Sequence, residues 1–136
     1  MNTDGCLRHQ IRTMMQRSLL LLTLLGTSGC DWASTPVTAS PEKATEALEK
    51  ALTAWKEGKA ETELKPEIYV QDPDWMKGRR LLGHAVVSAG EVLGASYSVQ
   101  VELTLADTDG KSESKKVWYI VSTSPETTVI RDLFHP

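Results

Sequence analysis

The chain has 136 residues, 40% hydrophobic and 24% charged, values near those of globular domains, which exclude wholesale disorder and leave room for one domain of ordinary size. The charge is unevenly placed: residues 1–30 carry Arg8, Arg12 and Arg17 against the single acid Asp4, whereas residues 31–136 hold 12 Lys and Arg against 17 Asp and Glu. So acidic a body argues against nucleic acid as a partner, since phosphate binding needs a basic stripe to displace counterions.

First in the chain comes a basic region ending at Arg17, then the apolar run Leu19 to Leu25, then the small residues Gly26-Thr-Ser-Gly29 before Cys30. That is the three-part pattern of a secretory leader, assigned to residues 1–29. The apolar run is too short for a permanent span, because a helix needs about 20 apolar residues to cross a bilayer core. The segment Leu25-Gly-Thr-Ser-Gly-Cys30 resembles the lipobox of bacterial lipoproteins: Ser28, Gly29 and Cys30 conform, and Thr27 stands where that motif usually has Leu. The resemblance implies a diacylglyceryl group on Cys30, which becomes the first residue of the mature protein. The membrane is then a partner through that lipid, and the protein is anchored in the cell envelope, facing the periplasm or the exterior. In enteric lipoproteins an Asp after the Cys, like Asp31, goes with retention at the inner membrane. Cysteine usage fits the same reading, because Cys6 lies in the removed segment and leaves Cys30 without a partner. The alternative is cleavage by ordinary signal peptidase near Gly29 or Ala33, giving a secreted soluble protein with a free thiol.

Residues 30–39 are rich in Thr, Ser, Ala and Pro, the composition of a flexible tether, and a single domain is expected over 40–136. Ser40 is placed as an N-cap, Pro41 suits the first helical position, and Glu42 complements the helix dipole. Ala44, Ala47, Leu48, Ala51, Leu52 and Trp55 then recur at helical spacing, which predicts an amphipathic helix of about 16 residues stopped by Gly58. Further on, Ile68–Val70 reads as a short extended piece, Asp74–Lys77 as a loop or one helical turn, and Leu81–Val92 as a strand closed by Gly90 and Gly94. Strict alternation from Tyr97 to Leu105 predicts a half-buried strand, followed by a turn at Asp107-Thr-Asp-Gly110. Lys115–Ser122 is a strand with Val117, Tyr119 and Val121 on one face and Trp118 and Ile120 on the other. Thr127–Phe134 is the last strand. The predicted fold class is α+β: one N-terminal amphipathic helix packed on a curved antiparallel sheet of about four strands. This element order, over Ser40 to Phe134, resembles the cystatin-like architecture, which includes the NTF2-like families.

Chemistry is sparse in this sequence. The mature chain has only His84, His135 and Cys30 as soft metal ligands, without zinc spacing, so no metal and no cofactor are expected. Neither a Gly-x-Ser-x-Gly turn nor a phosphate-binding loop occurs, and no catalytic residue is assigned. Asp72, Asp74 and His84 could line the mouth of a curved sheet as acid and base, in the manner of some NTF2-like enzymes. The plainer reading is that Asp72 and Asp74 flank Pro73 as turn formers and that His84 is a packed strand residue. Trp75, Arg79 and Arg80 make an aromatic and basic group suited to an anionic ligand or lipid headgroup. Trp118 and Ile120 lie exposed or under the segment Glu61 to Arg80, and exposure would suit a protein partner. Val86-Val-Ser-Ala-Gly90 is similar to the Gln-Val-Val-Ala-Gly loop of cystatin inhibitors, without its Gln and with an added Ser. The expectation is a non-enzymatic binding or interaction domain with Trp75, Arg79, Arg80, His84 and Trp118 as candidate ligand or partner surface. The rival is an NTF2-like enzyme or small-molecule binder using the interior of the curved sheet.

Overall fold

A computed structural model describes residues 35–135. The leader, Cys30 and Asp31 lie outside them. Helix α1, Pro41–Lys56, begins where the sequence places it: the Ser40 side chain accepts from the Lys43 amide at 3.5 Å, and Pro41 fills the first turn. Its stripe of Ala44, Ala47, Leu48, Ala51, Leu52 and Trp55 is buried, together with Ala54. The tether is docked at its end, because Ala39 is buried and donates its N–H to the Gly94 carbonyl at 2.9 Å.

After a 3-10 turn, Glu61–Leu64, come strand β1, Tyr69–Gln71, and the one-turn helix α2, Pro73–Met76. Strands β2, Leu81–Val86, β3, Glu91–Leu93, β4, Ser96–Ala106, β5, Ser112–Ser122, and β6, Thr128–Asp132, complete the chain. The fold is α+β, with one main helix and an open sheet in the order β1-β6-β5-β4-β2, while β3 pairs with the start of β4. Two features correct the predicted sheet. It has six strands instead of four, and it is mixed, because β1 runs parallel to β6, with Tyr69, Val70 and Gln71 opposite Thr128, Val129 and Ile130. The expected strand Leu81–Val92 is two short strands on one edge of β4.

The split has a local cause at Gly90. Its amide N–H donates to the Tyr97 hydroxyl at 3.1 Å, and a Cβ there would lie 2.1 Å from the ring carbon Cζ, so the backbone passes directly against the ring. A two-residue turn, Gly94-Ala95, then joins β3 to β4; Gly94 has φ +61° and Ala95 does not, the pattern of a type II′ turn.

Helix α1 covers the face formed by Val99, Val101, Leu103 and Leu105 of β4, Tyr119 and Val121 of β5, Val129 of β6 and Leu81 of β2. Helix α2 extends that cover. Its Trp75 stacks on Trp55 with centroids 5.1 Å apart and planes 2° from parallel. Each indole N–H is satisfied by backbone, Trp55 by the Arg79 carbonyl at 2.7 Å and Trp75 by the Lys59 carbonyl at 2.9 Å. The opposite sheet face carries Gln100, Glu102, Thr104, Trp118, Ile120 and Ile130, all half-buried. No helix among the described residues is long and apolar enough to cross a membrane.

Candidate functional site

The densest polar chemistry lies under α2. Asp72 is its N-cap: one carboxylate oxygen, Oδ1, accepts from the Asp74 amide at 2.9 Å and the Trp75 amide at 3.1 Å. The other oxygen, Oδ2, accepts from the Tyr119 hydroxyl at 2.5 Å and from Arg131 Nη2 at 2.6 Å. Arg131 Nη1 reaches Asp74 Oδ2 at 2.6 Å, an atom that also pairs with Lys115 Nζ at 2.5 Å. Arg79 bridges outward from Asp74 Oδ1 at 3.2 Å to Glu113 Oε2 at 2.8 Å. Three acids face three bases, so the cluster is neutral as a whole. Asp72 is fully buried, and Arg131 nearly so.

Alternation along β6 explains how an arginine comes to be inside. Arg131 lies two residues after the core residue Val129 and opposite the core residue Tyr119, so its register points it at the helical layer. A charge there is tolerable only when paired and hydrogen-bonded. Burial pushes the Asp74 carboxyl up, but hydrogen bonds from Lys115 and Arg131 and their charges outweigh it and bring its pKa down to about 2. Burial, and then the Asp72 charge, push the Tyr119 phenol well above its ordinary value. At neutral pH the cluster is thus an ionised Asp74 held by cations beside a protonated phenol. Both oxygens of each aspartate are occupied by partners within the fold, an arrangement that clamps α2 to β5 and β6.

His84, Asp72 and Asp74, a candidate acid–base group in the sequence, are separated in the structure. The β2 register shifts between Leu81 and Gly83, so that His84 lies opposite Leu103 and faces α1, where its Nε2 meets Glu49 Oε2 at 2.8 Å. Trp75 is buried in the indole stack, Arg79 is committed to Asp74 and Glu113, and Arg80 is exposed. Trp118 lies on the other sheet face, where the His135 ring covers it with centroids 4.1 Å apart. Its cover comes from the C-terminal residues and not from Glu61 to Arg80. Trp75, Arg79 and Arg80 do line one shallow concavity of about 260 Å³ beside Trp55, while His84 and Trp118 lie elsewhere, so the five candidates do not form one surface.

The interface between helix and sheet is filled by Trp55, Leu48, Leu52, Tyr119, Val101, Leu103 and Leu105. Concavities lie outside it. One groove of about 310 Å³ runs beside edge strand β1 along Tyr69, Gln71, Met76 and Ile130, and another of about 530 Å³ is bordered by Lys77, Arg79, Arg80, Asp107 and Glu113. Among the described residues no group of three or more His, Cys, Asp or Glu side chains is placed to hold a metal ion. No protein-family model matches the chain, and neither a curated protein nor a solved structure does.

Not legible as members of the site were Arg131, Tyr119, Lys115, Glu113 and Glu49. A signal for the first was present: a lone Arg at an apolar register of the last strand calls for a buried acid, although the sequence does not say which one.

Proposed function

We propose that the chain is a membrane-tethered lipoprotein of the cell envelope whose folded domain is a non-enzymatic binding or interaction module. The leader pattern and the Ser28-Gly29-Cys30 end support the tethered half of this reading. The binding half is carried by one observation: the acids best suited to proton transfer, Asp72 and Asp74, have both oxygens committed within a neutral cluster, while His84 is held at Glu49 on another element. A general acid or base needs a free lone pair or proton facing a space where substrate can sit. The filled layer between α1 and the sheet also speaks for a contact surface over an interior pocket. A cystatin-like sheet curved about the helix belongs to the same reading, supported by α1 preceding and crossing the sheet. Of the candidate contact residues, Arg80 is exposed to an anionic partner, and Trp118 with His135 offers an aromatic pair on the open sheet face.

The test is Cys30→Ser in the full chain, followed by fatty-acid labelling and membrane fractionation. Wild type should carry label and sediment with membranes, and the variant should lose both properties. A wild-type protein that takes up no label and stays soluble would refute the tethered reading.

A further inference from the structure

We propose that the β3–β4 tip rests on the surface of the bilayer that holds the lipid, with Leu93 and Val92 entering the headgroup layer, so that the domain stands with this end toward the membrane. The inference builds on the lipid at Cys30 and adds an orientation and a contact surface. Its first support is where the tether enters the fold. Ala39 is buried and bonded to the Gly94 carbonyl, so the chain from Cys30 reaches the domain at the β3–β4 turn. Nine residue steps lead from Cys30 to Ala39, and a fully extended chain gains about 3.3–3.6 Å per step, so the turn stays within about 30 Å of the lipid. The opposite tip, the β4–β5 turn, lies one strand length beyond, about 35 Å for the eleven residues of β4.

The second support is the surface at that place. Leu93 is 51% exposed and Val92 39%, and Val37 in the adjoining tether is 56% exposed. Val92 lies opposite Tyr97 and Leu93 opposite Ser96, so the two side chains stand on opposite faces of β3 and straddle the tip. Neither contributes to the core. Large apolar side chains at the point where a lipid-bearing chain joins its domain suit shallow burial at a membrane interface, which adds to the hold of the acyl chains. Glu91 beside them and the acidic body disfavour an anionic surface, so the occupant that fits is a zwitterionic bilayer. At the far tip, Asp107, Thr108, Asp109 and Gly110 offer only polar groups.

The experiment uses full-length protein purified with its lipid, carrying Leu93→Cys or Asp109→Cys. Acylation blocks Cys30, so the introduced thiol alone takes an environment-sensitive fluorophore. The labelled proteins are placed in phosphatidylcholine and phosphatidylethanolamine vesicles with brominated acyl chains, which quench on contact. Emission at position 93 should fall about twofold relative to unbrominated vesicles while position 109 stays unchanged, because only the tip reaches the apolar boundary. Adding Val92→Asp to the Leu93→Cys chain should relieve the quenching and leave co-flotation with vesicles intact. Equal quenching at both positions, or at neither, in protein that carries the lipid would overturn the orientation and leave the anchor standing. An emission change at position 93 that rises with the protein-to-lipid ratio and is the same in unbrominated vesicles would mark contact between copies and overturn it too. Protein with no lipid on Cys30 and no co-flotation would overturn both readings together.

Discussion

Asp74 is where one side chain decides most. Its carboxyl is held at about 2 in the fold against an ordinary value of 3.8, because the cations of Lys115 and Arg131 favour the charged form beyond what burial costs. A carboxyl depressed on folding adds stability that is present above its unfolded pKa and is lost as pH falls through the folded one. The domain should therefore weaken between about pH 4 and about pH 2, read as a falling urea midpoint at successive pH values. In Asp74→Asn the midpoint should start lower and change less over that window. An Asp74→Asn curve parallel to wild type would remove Asp74 from the account of acid sensitivity. The sequence showed Asp72 and Asp74 as turn formers about Pro73, and this is what they are at the level of local backbone: Asp72 caps α2. What it did not show is the far side of each carboxylate. Tyr119 and Arg131 stand 47 and 59 residues from Asp72 in the chain, and only the pairing of β5 with β6 puts them beneath it.

Among the elements, α1 was legible because every signal for it is local: a capping Ser40, Pro41 at the start, apolar residues at helical spacing, and Gly58 with φ +85° just past the end. Burial of its stripe gives a direct expectation. Leu52 is 1% exposed against the sheet, so Leu52→Ala should cost about 2–4 kcal/mol in a denaturant titration, from lost burial and the cavity left behind. A cost under about 0.5 kcal/mol would mean that the face is wrongly assigned, since surface changes fall in that range. Strands β4 and β5 were legible in their central parts, β4 from the alternation Tyr97–Leu105 and β5 from the β-rich run Lys115–Ser122, and in the structure β4 spans Ser96–Ala106 and β5 Ser112–Ser122. Strand β1, Tyr69–Gln71, was legible only as the short extended piece Ile68–Val70; its place in the sheet was not, because a parallel partner 59 residues away leaves no turn between them to read. The break between β2 and β3 escaped for a different reason. Gly90 looked like a strand end, but its role is to let backbone pass the Tyr97 ring, a close approach that no local pattern records.

For the molecule as a whole, the question is whether α2 and its aspartates belong to the same cooperative unit as the sheet. The described residues form one compact unit. Two contacts bind α2 into it from opposite sides: the Trp55–Trp75 stack joins it to α1, and Arg131 with Tyr119 joins Asp72 and Asp74 to β6 and β5. A segment tied at both ends should not open before the sheet does, so one all-or-none transition is expected. The measurement is available because the indoles separate cleanly. In a fragment from Thr35 onward Trp32 is absent, and with Trp118→Phe the fluorescence comes from the stacked pair alone, while far-ultraviolet dichroism reports the sheet and α1. The two urea transitions should coincide. Arg131→Ala, which leaves Asp72 buried without its guanidinium, should move both to lower urea together by about 3–5 kcal/mol, the cost of breaking a buried ion pair on one side. If the indole transition moved ahead of the dichroism in that variant, α2 would be a separately opening flap, and the cluster would hold it locally without securing the fold.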